Sequence, residues 1–206
     1  MASTEISKAK NPTKVLIVGG SYAGLAAALN LSDLCSGKPS RGSHPPLPPE
    51  AKPQPALPVE IKILDERDGF CEKYSLKHLD VTLIAEYVGH LIGSPLALAS
   101  ESYSAKAWQK FEDIPALQIP PISWTQGSVV KVDSSKKTAT ISDSKSGEPV
   151  EEKYDYLIAA SGLRRVWPVV PQSTSREKYL AEAKGHIGLV KNARHGVVVI
   201  GGGKNH

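Results

Sequence analysis

A cluster of small residues near the start of the chain has the spacing of a phosphate-binding turn. It follows the apolar run 14–18 and consists of Gly19, Gly20, Ser21, Tyr22, Ala23 and Gly24. In a G-x-G-x-x-G pattern the first glycine turns the chain out of a strand, the second lets the backbone approach a pyrophosphate, and the third lets the next helix pack closely. Gly19 and Gly24 fit the first and third positions, whereas Ser21 stands at the second. Because a helix that begins here would point its N–H groups at the turn, the pattern predicts a nucleotide phosphate site. Glycines that serve packing alone are the alternative.

A carboxylate after the second apolar run could bind the ribose of the same nucleotide. Dinucleotide-binding folds place an acidic residue about 20 positions after the glycines, at the end of the second strand. Asp65 lies 41 positions after Gly24, but the interval contains the tract 36–58, which holds eight of the 16 prolines. Such a tract cannot enter a helix or sheet interior, so it predicts a surface loop, and its removal reduces the spacing to 18. We therefore predict Asp65 as the ribose ligand. Glu66 competes for this role, and a carboxylate that only caps a turn is the alternative.

A second glycine run near the end of the chain extends the nucleotide hypothesis. The apolar run 197–200 is followed by Gly201, Gly202 and Gly203. Two such patterns in one chain are typical of proteins that handle two nucleotides together, as in hydride transfer between a nicotinamide and a flavin. A glycine-rich C-terminal turn is the alternative.

These residues require strands and helices to position them, and the hydrophobic periodicity predicts an α/β fold. The predicted elements are strands at 14–18, 59–64 and 197–200, helices at 23–34, 105–111 and from 173–175 to a stop at 196, and a β-meander of strands 128–132, 138–141 and 154–160.

Composition and charge narrow the class of protein. The 206 residues are 40% hydrophobic, which suffices for a packed core, and the net charge of +4 is too small to indicate nucleic-acid binding. No apolar run approaches the ~20 residues of a membrane helix, and the N-terminus has no signal-peptide apolar region. Cys35 and Cys71 form no CxxC pair and the six histidines have no metal-ligand spacing. We expect a cytoplasmic protein with no metal site and with two inert cysteines.

Four segments together resemble the pyridine nucleotide-disulfide oxidoreductase superfamily, in the fungal branch of apoptosis-inducing-factor-like and ferroptosis-suppressor-like flavoproteins. They are residues 15–28, 63–70, 126–129 and 156–162. The resemblance implies a Rossmann-like FAD-binding domain over 1–165, with a parallel sheet, helices and a β-meander, and the start of a truncated NAD(P)-binding domain over 166–206. It also implies an FAD-dependent NAD(P)H oxidoreductase that passes hydride from the nicotinamide to FAD and on to a quinone-like or other small-molecule acceptor.

The resemblance also implies a place for each candidate residue along the bound nucleotides. It implies that Gly19 to Gly24 hold the FAD pyrophosphate, that Asp65 binds the adenosine ribose, and that Arg67 contacts the adjacent phosphate or the adenine edge. It implies further that Val129 lines the adenine pocket and that Ser161 and Gly162 border the cofactor. Gly201 to Gly203 would begin the NAD(P)H fingerprint. No residue is assigned a catalytic role.

The chain departs from this family at two places. Residues 71–89 separate segments that nearly adjoin in relatives, and the chain ends at 204–206, where relatives continue through the NAD(P)-binding domain. We interpret both as unspliced introns of the gene, because the codons at each place can carry splice signals. The chain as written is then expected to retain FAD weakly or not at all and to show little reductase activity. A flavin monooxygenase, a non-catalytic dinucleotide-binding fragment and a single-domain NAD-binding protein are the alternatives.

Overall fold

The computed structural model describes residues 11–41, 56–71, 98–144, 146–162, 166–167 and 171–198. The strands and α-helices of these ranges are β1 (Thr13–Val18), α1 (Tyr22–Cys35), β2 (Val59–Asp65), β3 (Gly69–Cys71), α2 (Glu101–Ala107), β4 (Trp108–Lys110), β5 (Ile122–Asp133), β6 (Thr138–Asp143), β7 (Pro149–Lys153), β8 (Tyr156–Ala159) and α3 (Arg176–Lys191).

Six of these strands form one sheet in the order β7-β6-β5-β2-β1-β8. Strand β1 lies parallel to β2 and β8, and the first half of β5 lies parallel to β2. The second half of β5 pairs antiparallel with β6, and β6 pairs antiparallel with β7, which makes a three-stranded meander. The parallel strands therefore run third, second, first, fourth in chain order, as in one half of a doubly wound nucleotide-binding sheet. The predicted α/β, Rossmann-like fold with a β-meander is confirmed.

The central strand β1 is apolar from Val15 to Val18 because both of its faces are covered there. On one face, Ile17 of β1 packs against α1, whose buried Leu25 and Leu29 have the spacing of one helical face. On the opposite face, Leu16 packs beneath the meander against Ile141 of β6. The parallel strands thus lie between helix α1 and the antiparallel meander.

A third apolar cluster places α3 beside the end of β2. Trp108, the first residue of β4, stacks on Tyr179 of α3 with the ring centroids 5.0 Å apart, and Ala183 completes the contact. Strand β4 pairs antiparallel with β3, which follows β2 closely along the chain. The packing of α3 therefore bears on the loop between β2 and β3.

Two predicted elements are wrong in position. The helix predicted at 105–111 lies earlier, because the chain becomes extended at Trp108 to pair with β3. The predicted strand 154–160 is β8, which pairs with β1 rather than with the meander, and the third meander strand is β7. Strand β7 is mostly exposed and carries two glutamates, so its sequence has no apolar pattern.

The predictions for the end of the chain have a mixed outcome. Helix α3 begins after Ser175 as expected but ends at Lys191, before the predicted stop at 196. Val197 and Val198 are exposed and belong to no strand, so the first half of the predicted strand 197–200 is wrong. Gly201, Gly202 and Gly203 lie outside the described residues. So do residues 42–55 of the proline-rich tract 36–58 and residues 72–89 of the tract 71–89.

Candidate nucleotide-binding site

Most of the predicted site residues that the structure describes lie at the carboxyl ends of the parallel strands. Strand β1 ends at Val18, β2 at Asp65 and β8 at Ala159. The chain builds β2 and β5 on one side of β1 and then returns to place β8 on its other side. In open α/β sheets, ligands bind in the crevice beyond the carboxyl ends of the strands where the strand order reverses. Here that point lies between β1 and β8.

Contacts within the protein account for the three glycines of the turn. Gly19 has a φ of +109°, and a Cβ there would collide with the carbonyl oxygen of Ala160. A Cβ on Gly24 would collide with the carbonyl oxygen of Gly19, so glycine is required for α1 to begin so close to β1. A Cβ on Gly20 would lie 2.5 Å from the ring of Phe111. Because packing explains all three glycines, the case for a ligand depends on the exposed groups beside them.

The N-terminus of α1 presents such groups. Ser21 is the exposed N-cap residue, and its side chain makes no capping hydrogen bond to the first turn. No acidic residue lies in that turn to neutralise the positive end of the helix dipole. Ala23 is also exposed, whereas Tyr22 packs against the core of the α1 face. An exposed helix start with a hydroxyl group at its N-cap suits an anion such as a phosphate.

Asp65 joins the end of β2 to the glycine turn. Its Oδ2 atom accepts a hydrogen bond of 2.7 Å from the N–H of Gly20, and its Oδ1 atom accepts one of 2.8 Å from the N–H of Arg67. Burial raises the pKa of Asp65 above its usual value, although the two N–H groups and the charge of Arg67 act in the opposite direction. A carboxylate offers about four acceptor positions, so these two bonds leave capacity for the hydroxyl groups of a ribose.

The two residues after Asp65 make different contacts. The guanidinium group of Arg67 lies 3.5 Å from the carboxylate of Glu66 and donates a hydrogen bond of 3.2 Å to the carbonyl oxygen of Pro171. In the structure, Asp65 is thus the residue of this loop that is hydrogen-bonded to the glycine turn. The predicted roles of Glu66 as a competing ligand and of Arg67 at the phosphate or adenine stay predictions.

Ser161 and Gly162 follow β8 and are exposed at the same edge of the sheet. A Cβ on Gly19 would lie 2.8 Å from the backbone nitrogen of Ser161, so these residues adjoin the glycine turn. The side chain of Val129 instead packs on the core beneath the meander, next to a bulge in β5. The structure brings Ser161 and the turn together, and it packs the partly buried Val129 against the apolar cluster beneath the meander.

Residues that pack against the glycine turn and the loop after β2 were not identified from the sequence. Phe111 is completely buried with its ring beside Gly20. Asp68 accepts a hydrogen bond of 2.8 Å from the Nε1 atom of Trp108 and donates its own N–H to the carbonyl oxygen of Thr174 at 3.0 Å. These contacts join residues far apart in the chain, so no local sequence pattern predicts them.

One curated relative and several solved structures are similar to this chain. The chain is 48% identical over 204 residues to Oxidoreductase OXR1 from Ajellomyces capsulatus, an alignment that covers 98% of this chain and 40% of that protein. The chain therefore spans about two fifths of the length of this relative. No family model matches the sequence.

The solved structures are similar in fold at low sequence identity. Reduced CoADR-RHD from Bacillus anthracis has a TM-score of 0.53 and 17% identity, and the match covers 88% of this chain and 28% of that one. NDH2 from Plasmodium falciparum, in complex with RYL-552, has a TM-score of 0.47 and 15% identity over 76% of this chain and 23% of that one. The first of these supports the fold class. None of the helices in the described ranges is long and apolar enough to cross a bilayer.

Proposed function

We propose that this chain carries the FAD-binding part of an NAD(P)H oxidoreductase. The observation that carries the proposal is the 2.7 Å hydrogen bond between Gly20 and Asp65, which joins a phosphate-type turn to a ribose-type carboxylate at the carboxyl edge of a parallel sheet. The similarity to the Ajellomyces capsulatus protein named an oxidoreductase supports the reaction class. The four segments identified in the sequence support the finer placement in the apoptosis-inducing-factor-like and ferroptosis-suppressor-like branch. We also propose a cytoplasmic location, on the composition and cysteine pattern of the sequence.

The residues of the site fit the adenosine diphosphate half of a dinucleotide. The start of α1 and the hydroxyl of Ser21 would hold the pyrophosphate, because both are exposed and the first turn carries no competing carboxylate. Asp65 would accept hydrogen bonds from the ribose through its remaining acceptor positions. Ser161 and Gly162 would border the cofactor at the strand-order reversal. When bound, FAD supplies acceptance of a hydride from NAD(P)H and its delivery to an external acceptor, for which we propose a quinone-like molecule.

The protein groups prepare this site before a ligand arrives. The bond between Asp65 and Gly20 fixes the carboxylate relative to the helix start, so the two parts of an ADP moiety meet groups whose separation is already set. Preorganisation of this kind lowers the conformational cost of binding.

Titration of the 206-residue chain with ADP, FAD and FMN tests the proposal. We expect ADP and FAD to bind and FMN, which lacks the adenosine half, to bind at least about tenfold more weakly. Calorimetry gives the affinities. Equal binding of FMN and FAD, or no binding of ADP, would contradict an adenosine site at Asp65.

A visible spectrum of the chain with FAD, recorded before and after addition of NADH, tests the reaction. Bleaching of the flavin band by NADH would assign the reductase step to this chain. Binding of FAD without bleaching would show a dinucleotide-binding part that does not perform this step alone, which is the non-catalytic alternative for the 206 residues.

A further inference from the structure

A short segment that leads into α3 and includes its first residue lies against the loop that carries Asp65. We call residues 171–176 the strap and residues 65–68 the adenosine loop. The carbonyl oxygen of Thr174 in the strap accepts hydrogen bonds from the N–H of Asp68 at 3.0 Å and from the Nε2 atom of Gln126 at 3.2 Å. The same Nε2 atom donates to the carbonyl oxygen of Glu66 at 3.1 Å. Gln126 thus bridges the strap and the adenosine loop through one amide group.

Further hydrogen bonds fasten the strap to the same loop. Arg67 donates from its guanidinium group to the carbonyl oxygen of Pro171 at 3.2 Å. The N–H of Arg176 donates to the Oδ2 atom of Asp68 at 3.3 Å. Each of the three residues after Asp65 is therefore bonded to the strap or to Gln126.

Helix α3 holds the strap in turn. The carboxylate of Glu182 accepts hydrogen bonds from the N–H of Gln172 at 3.2 Å and from the hydroxyl of Ser173 at 2.7 Å. The helix is anchored by Tyr179 and Ala183, which are buried against Trp108. The strap is thus part of a packed element.

The orientation of the Asp65 carboxylate depends on this arrangement. Its Oδ1 atom accepts from Arg67 within the adenosine loop, and its Oδ2 atom accepts from Gly20 outside it. A change in the loop backbone would move the first donor and turn the carboxylate away from the second. Gln126 is the register partner of Asp65 across β5 and β2, so its amide reaches the loop just where the strand pairing ends.

We propose that Gln126 is a positioning residue, whose amide fastens the adenosine loop to the strap and thereby holds the Asp65 carboxylate against Gly20. The role of this device in ADP binding rests on the proposed function, whereas its role in ordering the loop is a property of the ligand-free chain.

Hydrogen exchange in the ligand-free, full 206-residue chain tests the ordering. In Gln126→Ala and in the nearly isosteric Gln126→Glu, which replaces the Nε2 donor with an oxygen, the amides of Gly20 and Arg67 should exchange about three- to tenfold faster. Asn30→Ala is the control, because the Asn30 amide also makes two hydrogen bonds with backbone groups, those of Ala26 and Arg41, but in the second half of α1, away from the glycine turn. Exchange rates at Gly20 and Arg67 that are unchanged in both Gln126 variants would overturn the proposal.

A double-mutant cycle tests whether Gln126 acts through Asp65. Gln126→Ala should weaken ADP binding about three- to tenfold in the unsubstituted chain but less than about twofold in the Asp65→Asn background, because the carboxylate that it positions is then gone. Equal losses in the two backgrounds would show that Gln126 acts independently of Asp65 and would overturn the proposal. If the unsubstituted chain binds no ADP, the proposed function fails, and the exchange rates of Gly20 and Arg67 alone decide for or against the positioning role.

Discussion

Replacing Asp65 with asparagine tests the carboxylate on which the candidate site depends. The substitution keeps the size of the side chain but leaves one acceptor oxygen and introduces an NH₂ group. Two backbone donors require acceptors here, the N–H of Gly20 at 2.7 Å and the N–H of Arg67 at 2.8 Å. The asparagine oxygen can take the place of only one carboxylate oxygen, so its NH₂ group must face the other donor.

The expected loss of stability follows from these contacts. A hydrogen bond to a charged group contributes about 1.5–3 kcal/mol, and an unsatisfied buried donor costs about 1–3 kcal/mol. Burial already raises the pKa of Asp65, so removal of its charge recovers part of the desolvation cost. We therefore expect the free energy of unfolding to fall by about 1–2 kcal/mol and ADP binding to weaken by about tenfold or more.

Urea unfolding at neutral pH and calorimetric titration with ADP measure the two effects. Asp155→Asn is the control, because the Asp155 Oδ2 atom accepts a 2.8 Å bond from the N–H of Lys14, at the opposite end of the parallel strands and in an exposed position. It should cost less than about 1 kcal/mol and leave ADP affinity unchanged. If Asp65→Asn matches the unsubstituted chain in both stability and ADP affinity, the assignment of Asp65 is wrong.

Three further predictions concern packing and pH. A Cβ at Gly24 would collide with the carbonyl oxygen of Gly19, so Gly24→Ala should destabilise the chain by about 2 kcal/mol or more. A Cβ at Gly185 on α3 would meet no atom within 4 Å beyond its local helix backbone, so Gly185→Ala should be neutral or stabilise the chain by up to about 1 kcal/mol. Equal urea midpoints for the two variants would refute this. Phe111→Ala should lower the free energy of unfolding by about 3–5 kcal/mol, since the ring is fully buried beside the glycine turn, and a loss under about 1 kcal/mol would contradict that packing. Burial raises the pKa of Asp65 above 3.8, so the folded chain binds this proton more tightly than the unfolded chain does. The free energy of unfolding, measured relative to that of Asp65→Asn, should therefore fall as the pH rises from about 3.8 through the raised pKa, and then stay level. A rise over that interval would contradict the shift.

The fold around β1, α1 and β2 could be predicted because its signals are local. The apolar runs and the glycine spacing lie within single elements, and both strands and the helix were located to within about two residues. The position of Asp65 could be predicted only after removal of the proline-rich tract. The structure supplies the reason: the N–H of Leu57 donates to the carbonyl oxygen of Cys35 at 2.7 Å, so the chain returns to the end of α1 before it enters β2. An insertion whose ends meet leaves the sheet register intact.

The rest of the fold depends on contacts that no local pattern records. Strand β7 carries two glutamates, and one of them, Glu152, reaches across the layer to Lys62 of β2, with the charged atoms 2.7 Å apart. Strand β8 pairs with β1 rather than with the meander, and this pairing likewise joins segments that are distant in the chain. Gln126 has an ordinary polar side chain in a strand, and its contacts depend on where α3 places the strap.

The glycine turn shows why a motif identifies a fold more readily than a ligand. Gly19, Gly20 and Gly24 each lack a Cβ because protein atoms occupy the space that it would need, so the same three glycines would be required in a strand–turn–helix that bound nothing. The groups that packing does not explain are the uncapped N-terminus of α1 and a carboxylate held partly buried at a cost to its ionisation. A buried carboxylate needs other interactions to offset its desolvation, and the two backbone bonds to Asp65 do so in part while leaving acceptor positions unused. The case for a nucleotide in this chain therefore depends on the groups around the glycines, and the residues that orient Asp65 bear on function as directly as the motif itself.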